Sequence, residues 1–474
     1  DMKAIRDFYG GKGYIDTRVR AIKNPNTTSG KMDLVYEIID EDKGKSYIEK
    51  IEIQGNIKTK DKVIRRELAV APGEVFDMVR VQRTKGRLEQ MAFFEKVETT
   101  VDNTDIPNRK NLVIDLEEAS TGNIEFGAGF SSIDNLIGFI GLREGNFDLF
   151  NPPYFRGGGQ KFRINVTMGT RRRDYQITFI EPWFLNQRLA LQNDLYHREF
   201  RYYSDIYEIQ QTGTRIGLTK ALGSEFLLGT VSYTIENIGI KDVDVDRAPE
   251  IILNEPDNRL ISRIGTSLAY DTRNNVQSPD RGQRTEISTE VAGPFGGETD
   301  FYKMELRSAF YFPGFLKDHI WEIRGRGGVV ETFMRSNDET VPLFDRFFTG
   351  GASSLRGYRY RDVGPRKESR NVPGSFEPVG GNTYWFGSLE YSIPIIERLR
   401  FAMFYDIGNV YEDSFSLGLT EDQQFYNDNW GFGIRLNIPR LGPLRLDYGI
   451  PITHDRFSGN KGRFQFGVSY TADY

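Results

Sequence analysis

The sequence predicts a small α+β domain followed by an all-β, sixteen-stranded antiparallel transmembrane barrel. Three observations carry this. Hydrophobic periodicity changes from helical to alternating near residue 122. The alternating segments behind that point are numerous and of similar length. The composition is polar yet rich in aromatics and glycine.

The chain has 474 residues, more than one ordinary soluble domain needs, so at least two units are expected. Only 38% of residues are hydrophobic, and no run of about 18 apolar residues exists, which excludes a helical span. Phe and Tyr are nevertheless abundant, at 34 and 24, with 49 Gly. A net charge of −5 argues against a generic nucleic-acid binder. Cysteine is absent, so neither a disulfide framework nor a thiolate metal site exists, which suits a cell-envelope protein. The chain begins at Asp1 without a signal peptide and is expected to be a fragment or a processed form.

Residues 47–119 read as a β-α-α-β-β domain. "YIEKIEIQG" is a strand closed by Gly55. "TKDKVIRREL" is a helix with Thr59 as its N-cap, and Val63, Ile64 and Leu68 share one face. A second helix follows Asp77, with Val81, Thr84, Leu88 and Met91 along one stripe. "FFEKVETTV" and "KNLVIDLEE" read as a strand pair, Leu112, Ile114 and Leu116 alternating in the second. Residues 1–46 hold a helix-like start and the strand "KMDLVYEII", expected to be the C-terminal part of an earlier copy of the same unit.

Residues 122–474 alternate instead. "FRINVTM" sets Phe162, Ile164, Val166 and Met168 against Arg163, Asn165 and Thr167. "WGFGIRLNI" sets Trp430, Phe432, Ile434, Leu436 and Ile438 against Gly431, Gly433, Arg435 and Asn437. Such strands suit a soluble sandwich or a membrane barrel. Sixteen candidates occur between 123–131 and 462–471, an even number, many long enough for a tilted crossing. An open sheet of that size would leave unprotected edges that closure removes. The apolar face then meets lipid and the polar face the lumen. With the soluble domain at the periplasmic mouth, the connection after the eleventh strand, 332–382, is external, and it is the longest in the barrel.

That connection holds "SSLRGYRYRDVGP" at 353–365. In "TYWFGSLEYSI" the apolar face is Trp385, Leu389, Tyr391 and Ile393, so Glu390 faces the lumen. In "LRFAMFYDIGNV" Leu399, Phe401, Met403, Tyr405 and Ile407 face lipid, so Asp406 faces inward too. Two inward carboxylates on adjacent strands suit a guanidinium fork. The loop is therefore expected to fold into its own barrel and be pinned by Arg356, with Gly357 allowing a tight turn. The alternative is a solvated external loop whose arginine meets nothing.

Together these segments resemble the BamA family of outer-membrane protein assembly factors, over essentially the whole chain. "IEKIEIQGNIKTKDKVIRRELAVAPGEVFD…RLEQMAFFEKVE" looks like that family's membrane-proximal POTRA domain, and "TGNIEFGAGFSSIDNLIGFIGLREGNF" its first barrel hairpin. Leu355, Arg356, Gly357 and Tyr358 match its [VL]-R-G-[FY] loop motif, and Glu390 and Asp406 sit where its acidic partners do. The resemblance implies a non-enzymatic insertase in the outer membrane of a Gram-negative bacterium, with the POTRA domain in the periplasm. It implies a weak lateral seam between the first and last strands, carried by Asn123, Ile124, Phe126, Gly127, Gly129, Phe464, Phe466, Gly467 and Tyr470. The seam glycines either permit kinking or make room for bulky neighbours. Implied partners are unfolded outer-membrane barrel proteins, accessory lipoproteins at the POTRA domains and outer-membrane lipids, with no cofactor and no nucleic acid. A two-partner-secretion-type polypeptide transporter is the alternative. The chain departs from the usual aromatic close, since "TADY" follows "FQFGVSY" and Tyr470 and Tyr474 compete as the terminal aromatic.

Other motifs carry less. His197, His319 and His454 lack metal-ligand spacing. Asp242, Asp244 and Asp246 have EF-hand-like intervals, but Arg247 stands where such a loop needs Gly, so a solvated acidic loop is the better reading.

Overall fold

A computed structural model describes every residue outside 27–29, 40–43, 132, 202–203, 277, 334–339, 420–422, 439–441, 454–456, 458, 460 and 469–474. It resolves into two compact units: residues 1–123 with 143–162, and residues 124–142 with 163–474.

In the first unit, strand Tyr47–Gln54 runs parallel to Arg109–Glu118, which pairs antiparallel with Phe94–Asn103. The last strand in sequence is thus the middle of the sheet. Helices Asp61–Arg65 and Met78–Gln90 lie between the first strand and the other two in the chain. Ile48, Ile64, Val81, Leu88, Leu112 and Ile114 form its core, each fully buried. Gly55 has φ +83°, and a Cβ there would overlap the Leu116 carbonyl oxygen, so only glycine closes this strand.

Thr59 is not the helix cap. The first helix has only five residues, starts after Lys60 and has no side-chain cap. Thr59 is instead buried, donating its N–H to Glu118 at 2.6 Å and accepting from Asn146 at 2.8 Å. Asp77 does cap the second helix, accepting from the N–H groups of Val79 at 2.8 Å and Arg80 at 3.0 Å. Asp77→Ala should therefore cost about 1 kcal/mol. Hydrogen exchange at Val79 and Arg80 should speed up while the Arg109–Glu118 strand stays protected. Residues Met2–Gly10 form a helix, and Arg18–Asn26 pairs with Lys31–Ile39 as a two-stranded sheet.

The second unit is a closed antiparallel barrel of fifteen continuous strands rather than sixteen. The difference lies in Gly282–Pro313, a single run of 32 residues covering both the ninth and tenth expected strands. Fully extended it would reach roughly 100 Å, far beyond one membrane crossing. It turns instead at Gly293, Gly296 and Gly297, all with positive φ. Its first limb pairs with Arg259–Asp271 and its second with Ile320–Thr332. Counted as crossings, the run supplies two, giving sixteen.

Burial in the barrel is the reverse of a soluble protein. Phe126, Val231, Leu268, Leu306, Met403 and Trp430 are exposed, whereas Glu236, Arg324, Glu390, Asp406, Asn429 and Asp447 are buried. Exposed apolar bands around buried charge require lipid outside and a polar interior. Across Tyr384–Ser392 and Ala402–Gly408 the burial follows the alternation read from sequence, with Glu390 and Asp406 on the buried face.

Within the described part of the loop, 340–382, two short strands pair, Arg366–Glu368 with Phe376–Pro378. Val341, Leu343, Phe347 and Val379 are buried against Ile238, Ile261, Phe301 and Val330 of the barrel wall. The connection is therefore a packed element of the lumen.

Candidate functional site: the pinned loop and the seam

The loop segment is prearranged by its own backbone. The Gly351 and Tyr358 N–H groups both donate to the Leu355 carbonyl, at 3.1 Å each. Leu355 packs with Tyr358, Val363 and Phe386. This turn presents Arg356 to the wall, where its side chain is fully buried.

Four groups receive the guanidinium. Nε donates to Asp406 Oδ2 at 2.8 Å and Nη2 to Asp406 Oδ1 at 2.6 Å, a two-pronged grip. Nη1 donates to Glu390 Oε2 at 2.5 Å, and Nη2 also reaches Ser388 Oγ at 3.1 Å. Below lies Phe404, its ring centroid 3.4 Å from Arg356 Cζ. Asp447, 3.6 Å from Nη1, is a third carboxylate.

Two further arginines balance these acids. Arg435 donates to both Glu390 oxygens, at 3.1 and 2.9 Å, and to Asp447 at 2.5 Å. Arg445 donates to Asp447. Three guanidinium groups thus meet three carboxylates. Burying such charges is tolerable only because the set is neutral and densely hydrogen-bonded.

The backbone around Arg356 is crowded. A Cβ on Gly449 would stand 2.6 Å from the Arg356 carbonyl carbon, and one on Gly357 2.7 Å from Asn429 Cβ. Gly357 is thus required by close approach to the wall rather than by a turn, since its φ is not positive. Tyr358 donates from its hydroxyl toward the carbonyls of Asp428, at 2.8 Å, and Thr453, at 2.5 Å. Gly449→Ala should displace the loop at a cost of about 1–3 kcal/mol, the usual range for overpacking. The barrel's thermal unfolding midpoint should fall without loss of its strand content by circular dichroism.

At the seam, among the described residues, the last strand runs Arg463–Val468 and the first Gly122–Ser131. Among the described residues they share one register pair, Gly467 with Ser131. The last strand's other junction, with Gly442–Thr453, has six. Phe466 and Phe130 meet with centroids 5.8 Å apart. Ile124, Phe126 and Phe464 are exposed, as is Asn123. A Cβ on Gly127 would lie 2.5 Å from the Phe139 ring, and one on Gly129 3.3 Å from Ile137. Both glycines thus lie against side chains of the second strand, more tightly at Gly127 than at Gly129. Tyr470, Tyr474 and His454 lie outside the described residues.

The remaining candidates have local partners. His197 shares a hydrogen bond with Thr212 at 2.7 Å, and His319 with Tyr391 at 2.7 Å. Asp244 accepts from the N–H groups of Asp246 and Arg247, which makes it the cap of its own turn.

Sequence reading did not single out Asp447, Arg445, Ser388 or Phe404. The signal was present: each falls on the lumen face by the alternation that placed Glu390 and Asp406. Phe404, an aromatic among inward residues, breaks the polar pattern because a guanidinium covers it.

A β-α-α-β-β domain, a closed antiparallel barrel and an arginine-pinned lumenal loop define a class of barrel proteins with a soluble N-terminal module. The chain belongs to the Omp85 superfamily, whose domain model matches residues 155–472. A POTRA model, described as a surface antigen variable number repeat, matches residues 46–119. Among curated relatives, outer membrane protein assembly factor BamA of Nitratidesulfovibrio vulgaris is 27% identical over 474 residues, covering 99% of this chain and 56% of that protein. The chain thus spans little more than half of that relative's length. Among solved structures, BamA from Haemophilus ducreyi lacking POTRA domains 1–3 superposes with a TM-score of 0.80 at 21% identity, covering 98% of this chain and 92% of the other. CdiB from Escherichia coli reaches 0.56 at 14% identity, covering 98% and 82%.

Proposed function

We propose that this chain is the barrel and membrane-proximal POTRA portion of a factor that folds and inserts β-barrel proteins into the outer membrane of a Gram-negative bacterium. Residues 1–46 are the end of a preceding POTRA unit, and the soluble part lies in the periplasm. No covalent step is involved.

The observation that carries this reading is the seam. One register pair joins the first and last strands among the described residues, beside a junction of six. Parting the first and last strands exposes backbone donors and acceptors that an unfolded substrate strand satisfies by strand addition. The pinned loop keeps the rest of the wall closed meanwhile. The POTRA sheet, with Tyr47–Gln54 and Phe94–Asn103 at its two edges, offers further sites for substrate and accessory lipoproteins. The alternative, a transporter of one secreted polypeptide, uses the same loop; the sequence likeness to an assembly factor over 99% of the chain favours insertion.

The test is reconstitution of the full-length protein with its accessory lipoproteins in lipid vesicles, supplied with several unrelated urea-unfolded barrels. Faster acquisition of heat-modifiable, protease-resistant forms for all of them, relative to empty vesicles, supports the proposal. Acceleration of none, with passage of a single secreted polypeptide, overturns it.

A further inference from the structure

The loop motif does more than occupy an acidic pocket on two strands. It touches five strands in succession. Arg356 binds Ser388 and Glu390 on Thr383–Ile396, and Asp406 on Leu399–Tyr411. Tyr358 binds carbonyls on Asn427–Ile438 and Gly442–Thr453. The fifth is the seam strand. Gln465 donates through Nε2 to the carbonyls of Tyr358, at 2.9 Å, and Arg356, at 3.3 Å.

We propose that Gln465 is a positioning residue that holds the last strand in register from inside the barrel, coupling the seam to the Arg356 loop. The inference rests on the seam reading above. Gln465 is 6% exposed and sits between two exposed-to-intermediate aromatics that face outward. It is the inward-facing anchor at the middle of the described strand Arg463–Val468. Its acceptors are backbone carbonyls on either side of Gly357, so any shift of that turn moves both at once. Gly449 permits the arrangement, since a Cβ there would collide with the Arg356 carbonyl and the Gly357 nitrogen. An amide is the fitting group. It donates to neutral carbonyls without bringing charge beside Arg356, whereas a carboxylate would face two oxygens with no proton to share.

The test measures the rate of disulfide formation between cysteines replacing Ser131 and Gly467 in the full-length protein in native membranes. The chain has no other cysteine. Gln465→Met keeps the length and removes the donor; Gln465→Glu reverses the polarity. Each should slow cross-linking about two- to tenfold, the population change that one hydrogen bond commands. Arg356→Lys should slow it too, and the double variant should be no slower than the slower single one, because both act through one turn. Unchanged rates in both Gln465 variants, or effects that multiply with Arg356→Lys, would overturn the coupling. Where Gln465→Met lowers the yield of folded barrel, rates are compared within the heat-modifiable fraction. Slowed cross-linking with normal substrate insertion would uphold the coupling and refute the seam's role in insertion. Lost insertion with unchanged cross-linking would overturn the coupling.

Discussion

Replacing Arg356 by Glu is expected to destroy the packed lumen and abolish activity. The native side chain is fully buried between Glu390, Asp406, Ser388 and Phe404. The substitution removes the cation and adds a carboxylate to Glu390, Asp406 and Asp447. Removing one partner of a buried ion pair costs about 3–5 kcal/mol even without reversal. Arg435 and Arg445 compensate only part of this, because their donors already grip Glu390 and Asp447. The loop is expected to leave the lumen, becoming a substrate for external protease in intact cells. Arg356→Lys should be intermediate: the charge remains, but the two-pronged bond to Asp406 and the stacking on Phe404 are lost. Unchanged heat-modifiability and normal complementation by the Glu variant would show that the loop is not held by this contact.

Locking the seam is expected to have the second large effect. Ser131 and Gly467 are Cα partners, and opposed residues of antiparallel strands lie within disulfide reach. With Ser131→Cys and Gly467→Cys, oxidation should stop insertion of new barrels, and reduction should restore it. Only the reversible loss is informative, since it separates a closed seam from a damaged barrel. Full insertion by the oxidised form would show that the first and last strands need not part.

The outline of this molecule is legible in its sequence because alternation is a local property. Each strand from Thr383 to Ile438 states its facing by itself, which is why Glu390 and Asp406 could be placed inward beside a candidate arginine. The helix at Met78–Gln90 was equally plain, with Asp77 before it and Val81, Thr84 and Leu88 buried along one face. What failed depended on distant residues. Thr59 looks like a cap, yet its partners are Glu118 and Asn146, far along the chain. Gly357 looks like a turn residue, yet Asn429 and Pro451 dictate it. Gly127 lies against the ring of Phe139 on the neighbouring strand. Gln465 was legible only as an inward polar residue between Phe464 and Phe466; its partners were not, because its acceptors are backbone carbonyls, which no side-chain pattern reveals. The turn inside the continuous run Gly282–Pro313 was legible as well, since the alternating segments 283–292 and 301–312 stand either side of Gly293, Gly296 and Gly297, which bend the chain.

Depleting the full-length protein from its source cell and quantifying every outer-membrane protein distinguishes a general assembly factor from a dedicated exporter. Many unrelated barrels are expected to fall together while outer-membrane lipoproteins without barrels persist. Persistence of the barrels, with loss of one secreted polypeptide, would contradict general assembly and identify a dedicated exporter with the same pinned loop.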